Sequence, residues 1–224
     1  MKLADALAEC PVVAILRGVR PDEAVGHAEA LFQSGIRALE VPLNSPEPID
    51  SLLRIVGAFE GRMAIGAGTV LDSNRVDAVA EAGGRFIVSP NTDPAVIRRA
   101  VELGLDPAPG FATASEAFVA YGAGARHLKL FPAVTYGAAH LRQLKAVLPA
   151  DATVWAVGGV GPESLVEWWA AGAGAFGLGG EVYRAGQSVL ETSEKATRAV
   201  ASALVLLSRN APQARMTRVR NGGS

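Results

Sequence analysis

Residues 127–132 read His127-Leu128-Lys129-Leu130-Phe131-Pro132, a short apolar run with one lysine inside it and a proline at its end. Alternation along an extended chain sends Leu128 and Leu130 to one side and Lys129 with Phe131 to the other. Seven further runs of this kind occur: Val12 to Leu16, Ala38 to Leu43, Met63 to Ile65, Phe86 to Val88, Leu105 to Ala108, Thr153 to Val157 and Ala175 to Leu178. Runs this short, apolar and rich in β-branched residues suit parallel strands covered on both faces, where neither side meets water and polar alternation is lost. Helical signals lie between them. Pro21 opens one segment with Asp22 and Glu23 in its first turn, and Gly35 closes it. Ser45 is placed to cap a helix beginning at Pro46, and Thr113 with Glu116 has capping-box spacing, followed by Gly122. Gly83, Gly104, Gly124 and Gly174 supply similar exits before the strands they precede.

Strand and helix alternating eight times without a long linker predict a single (β/α)8 barrel of the TIM type over residues 1–208. A doubly wound open sheet is the alternative, and the third and fifth strands, short and broken by Gly or Pro, are the weakest links in the pattern. Beyond the last helical pattern, Ser188 to Leu207, residues 209–224 scatter Arg209, Arg215, Arg218 and Arg220 among Pro, Asn and Gly and are expected to form a disordered basic tail.

The chain has 224 residues, with 21 Lys and Arg against 22 Asp and Glu, so it carries no global field for nucleic acid or an anionic membrane surface. Cys10 stands alone, and no Cys/His spacing of a metal site occurs; no metal or other cofactor is expected. Asp5 and Glu9 interrupt the first ten residues, and no 18-residue apolar run follows, so a cytoplasmic protein is expected. His27, His127 and His140 share no ligand spacing and read as packing or surface residues. Trp168 and Trp169 are adjacent on one helical pattern and cannot face the same way.

Lysine is scarce, with Lys2, Lys129, Lys145 and Lys195 the only four, and Lys129 alone lies inside an apolar strand. If the barrel forms, Lys129 points to its axis, where desolvation favours the neutral amine, a nucleophile toward carbonyls. Glu40 has the same anomaly in Ala38-Leu39-Glu40-Val41-Pro42-Leu43. A buried carboxylate near a neutral amine is suited to moving protons. The bland reading is a Glu40–Lys129 salt bridge that merely fills the barrel. Gly158-Gly159 after the seventh strand and Gly179-Gly180 after the eighth allow backbone N–H groups to approach an anion, as at barrel phosphate sites. Arg17, ending the first strand, could clamp a carboxylate or phosphate. Asn44, Thr69, Ser89 and Asn91 sit at other strand ends, where they could orient a polar substrate.

Together Leu39-Glu40-Val41-Pro42-Leu43-Asn44, Gly66-Ala67-Gly68-Thr69-Val70, Leu128-Lys129-Leu130-Phe131-Pro132 and Ala156-Val157-Gly158-Gly159-Val160 resemble the class I 2-keto-3-deoxy-6-phosphosugar-acid aldolases. The resemblance runs from about Val12 to near Leu207. It implies cleavage of a phosphorylated keto-deoxy sugar acid to pyruvate and glyceraldehyde 3-phosphate, with Lys129 as Schiff-base lysine and Glu40 as acid/base. It also implies Arg17 and Thr69 at the carboxylate, the glycines Gly158, Gly159, Gly179 and Gly180 at the phosphate, and Asn44, Pro90, Phe131 and Val157 as further substrate contacts. No cofactor and a homotrimer go with it. The gluconate pattern has Arg where Asn44 stands, Thr where Val157 stands and often Ser where Gly180 stands; Ile15-Leu16-Arg17-Gly18 and Leu43-Asn44-Ser45-Pro46 look like the galactonate branch. The gluconate epimer, a 4-hydroxy-2-oxoglutarate-type acid, and a non-catalytic sugar-phosphate-binding barrel are the alternatives.

Overall fold

The computed structural model describes residues 1–210. Its strands are β1 (Val12–Ile15), β2 (Ala38–Pro42), β3 (Ala64–Gly68), β4 (Phe86–Val88), β5 (Asp106–Ala108), β6 (Gly110–Phe111), β7 (His127–Leu130), β8 (Thr153–Val157) and β9 (Ala175–Leu178). All pair in parallel, in the lateral order β5-β4-β3-β2-β1-β9-β8-β7-β6.

Of the two edges of that order, β5 falls within the fifth predicted run, Leu105 to Ala108, whereas β6 lies beyond it, parted from β5 at Pro109. Proline has no N–H to give to a ladder, so the strand breaks there. β5 stays with β4, while β6 turns to β7, where the Pro109 carbonyl accepts from the Lys129 N–H at 2.8 Å. The sheet thereby returns on itself at one strand position, giving the eight-position barrel rather than the open sheet.

Helices α2 (Pro21–Gln33), α3 (Pro48–Ala58), α4 (Ser73–Glu81), α5 (Pro94–Glu102), α6 (Ala114–Gly122), α7 (Ala133–Lys145), α8 (Leu165–Ala170) and α9 (Val189–Asn210) follow the successive barrel positions. The Thr113–Glu116 capping box starts α6, as its spacing predicts, and Asp72 and Asp93 cap α4 and α5. Ser45 does not cap a helix. The residue before a proline is kept out of the right-handed helical region, so with Pro46 and Pro48 so close α3 waits until Pro48. The Ser45 hydroxyl instead accepts from the Gly18 N–H at 2.9 Å, tying the loop after β2 to the loop after β1. The expected tail begins at Arg209, but α9 runs to Asn210; the remainder of that stretch lies outside the described residues. No helix among the described residues is long and apolar enough to cross a membrane.

Two apolar layers hold the molecule together. Leu39, Val41, Leu128 and Leu130 lie between sheet and helices, as strand alternation requires. Val13, Ala38, Ala64, Phe86, Trp155 and Ala175 fill the barrel interior, and Leu3, Ala6 and Leu7 of a further helix, α1 (Leu3–Glu9), join them. A helix over residues 3–9 is absent from the sequence reading. Trp168 is buried, while Trp169 is only partly covered and packs near Phe176.

Candidate active site

The strand ends open into a cavity of about 740 Å³, and Lys129 of β7 lies in its wall. Only 6% of Lys129 is exposed, and its Nζ is 4.5 Å from the centre of the Phe131 ring, which shares the cavity. Burial pushes the amine below its ordinary pKa; Glu40 opposes that shift, and Arg17 adds to it by charge repulsion.

Glu40 of β2 is only 3% exposed and lies behind the cavity wall rather than on it. Burial raises its pKa against the pull of Lys129 and Arg17. Its Oε2 has no hydrogen-bond partner, and no direct ion pair joins it to Lys129, so the two groups do not form a closed, barrel-filling salt bridge. The carboxylate owes its room to β3. A Cβ on Gly68 would overlap Glu40 Oε2, just as one on Gly66 would overlap Phe86. Inward positions of β3 are thus small where neighbouring strands send large side chains to the axis.

Thr69, also in the wall, adopts φ 56°, the left-handed region that β-branched residues avoid. Such strain costs about 1–3 kcal/mol and persists only where neighbours over-determine the backbone. Here they do. The Gly68 carbonyl accepts from Leu43 N–H at 2.7 Å, Val70 N–H donates to the Val88 carbonyl at 3.1 Å, and the Ser89 hydroxyl donates to the Val70 carbonyl at 2.8 Å. Ser89 therefore supports the site from outside it.

Arg17 lines the cavity, and its Nη1 donates to Asn44 Oδ1 at 2.6 Å. Asn44 does not line the cavity; it holds the arginine that does. Pro90 and Val157 are in the wall, as are Gly158, Gly159, Gly179 and Gly180. Among the described residues no protein acceptor is found for the N–H groups of these four glycines. Gly158 and Gly159 take φ of 91° and 73°, turning the chain around a concave edge suited to an anion.

The β9–α9 loop contributes wall residues that the sequence reading omits, among them Glu181, Tyr183 and Arg184. The available signal was an arginine four residues beyond a Gly-Gly pair. Asn91 and the three histidines lie elsewhere: His27 bonds Thr192, His140 bonds the Ala112 carbonyl, and His127 accepts from Trp155 Nε1. Among the described residues no cluster of three or more potential metal ligands occurs.

Known proteins share this fold. The family profile described as KDPG and KHG aldolase matches residues 3–198. The 2-dehydro-3-deoxy-6-phosphogalactonate aldolase of Escherichia coli is 50% identical over 186 residues, 83% of this chain and 91% of that protein. Among solved structures, a native KDPGal structure superposes with a TM-score of 0.87 at 48% identity, covering 88% of this chain and 96% of that one. The 2-keto-3-deoxy-6-phospho-gluconate aldolase of Zymomonas mobilis superposes with a TM-score of 0.81 at 25% identity, covering 90% and 97%. With a profile match over most of its length and a half-identical relative spanned almost end to end, the chain belongs to the KDPG and KHG aldolase family.

Proposed function

We propose that this chain is a Schiff-base aldolase that cleaves 2-dehydro-3-deoxy-6-phosphogalactonate to pyruvate and glyceraldehyde 3-phosphate. The observation that carries the reading is the pairing of a buried, unbridged lysine with a buried carboxylate at the C-terminal mouth of a barrel. The galactonate choice rests on the half-identical relative of that name and on Val157.

The neutral Lys129 amine adds to C2 of the keto acid, and loss of water leaves an iminium. Glu40, directly or through water, takes the C4 hydroxyl proton. The C3–C4 bonding pair then moves into the enamine, and C4 departs as the aldehyde of glyceraldehyde 3-phosphate. Glu40 returns a proton to C3, and water hydrolyses the pyruvate iminium, freeing Lys129. Arg17, held by Asn44, faces the substrate carboxylate together with Thr69. The four glycine N–H groups receive the phosphate, while Pro90, Phe131 and Val157 shape the space between. The scheme uses no cofactor. The working unit is a cytoplasmic homotrimer.

Val157 places two methyl groups beside the sugar chain where a hydroxyl would offer a hydrogen bond, and loss of one buried hydrogen bond shifts epimer preference. The test is pyruvate release from the galactonate and gluconate 6-phosphates. Wild type is expected to favour the galactonate epimer, and Val157→Thr to move the kcat/KM ratio toward gluconate by about tenfold, one hydrogen bond's worth. Release from neither ester, or a wild-type preference for gluconate, would contradict the reading.

A further inference from the structure

We propose that Arg184 is the cationic anchor for the substrate's terminal phosphomonoester, and so sets the preference for phosphorylated over unphosphorylated chains; this rests on the aldolase reading above. Arg184 lies on the β9–α9 loop and lines the cavity. Its Nε donates to the Gly180 carbonyl at 3.2 Å, which folds the guanidinium back over the glycine pair. A Cβ at Gly180 would lie 3.2 Å from Nε and 3.6 Å from Nη2, so the guanidinium packs closely over this glycine. The arm is fixed on both sides. Val182 and Tyr183 N–H groups donate to the Gly179 carbonyl at 2.9 and 2.8 Å, the Tyr183 hydroxyl donates to Glu23 at 3.2 Å, and Gln187 N–H donates to the Arg184 carbonyl at 3.1 Å.

Among the described residues Arg184 makes no ion pair, so its Nη groups remain available as a planar fork that matches phosphate oxygens. Three basic side chains line the cavity. Arg17 and Lys129 act on Glu40, whereas Arg184 stands over Gly180 and shares the cavity wall with the other three glycines whose N–H groups are unpartnered. Glu181 also lines this end and repels an anion; Arg184 is the charge that offsets it.

The test compares condensation of pyruvate with glyceraldehyde 3-phosphate and with glyceraldehyde. In Arg184→Ala the kcat/KM ratio of phosphorylated to unphosphorylated aldehyde should fall about 10- to 100-fold, the range for a lost charge-assisted hydrogen bond, and in Arg184→Lys it should fall less. Glu181→Gln should raise it. An unchanged ratio in Arg184→Ala, or an equal loss on both aldehydes, overturns the assignment. Titration with inorganic phosphate, followed by phosphorus NMR, reads the same anion site without turnover. Arg184→Ala should weaken its Kd about tenfold; an unchanged Kd overturns the proposal. Absence of condensation in wild type would instead count against the aldolase reading, and the phosphate titration would still decide the role of Arg184.

Discussion

Lys129 and Glu40 stand diametrically opposite in the ring, with three strand positions between them whichever way one counts, so only the closed barrel brings them to one axis. Burial moves both toward neutrality, and their attraction only partly opposes it. Gly68 is the residue on which this arrangement turns, because its missing side chain is the space that Glu40 Oε2 occupies. Gly68→Ala should displace the carboxylate, cost about 1–3 kcal/mol as an overpacked core does, and lower kcat by about 10²- to 10⁴-fold, the usual contribution of general acid–base catalysis. Chemical denaturation and steady-state kinetics on the same preparation check both; a variant with wild-type kcat would show that Glu40 is dispensable. Lys129 and Glu40 were legible as candidates because a charged residue in a run of apolar ones contradicts its surroundings. The unbridged state of the pair was not legible, since it depends on how far the opposite arcs of the ring hold the two side chains apart.

At the scale of elements, the fifth strand shows what periodicity misses. Leu105 to Ala108 reads as one short run, yet Pro109 divides the position between β5 and β6, and this division lets the ring close across neighbours that do not share one ladder. The spacing of Pro46 and Pro48 similarly moved the start of α3 away from Ser45. α1 carried no comparable local signal. It has seven residues and no side-chain cap, and its helical state comes from packing on the barrel interior. That dependence is testable: Leu3 is fully buried, and Leu3→Ala should destabilise the fold by about 2–5 kcal/mol in urea denaturation. A loss within 0.5 kcal/mol would mean that α1 does not help hold the barrel together. Arg184 was missed for a related reason, because a loop residue has no period, and only the folded β9–α9 connection shows it turned over Gly180.

For the whole molecule, the barrel was legible from the eightfold recurrence of short apolar runs, since strands covered on both faces fit few other architectures. The assembly was not legible in the same way. Phe118, Val119, Val134 and Tyr136 leave apolar area exposed on α6 and the start of α7, the kind of surface that a subunit contact covers. Sedimentation equilibrium should give about three times the 23.1 kDa chain mass, and a monomer at micromolar concentration would contradict the proposed homotrimer. The central claim is that barrel closure makes one buried lysine into a carbonyl nucleophile. Borohydride reduction in the presence of pyruvate, read by intact mass and peptide mapping across a pH series, tests it most directly. The account predicts a single adduct at Lys129 whose formation rate rises with pH along a limb well below the ordinary lysine value of 10.5, because the neutral form attacks and burial lowers the pKa. Folded protein that forms no adduct, or forms it at other lysines along a limb near 10.5, would contradict it.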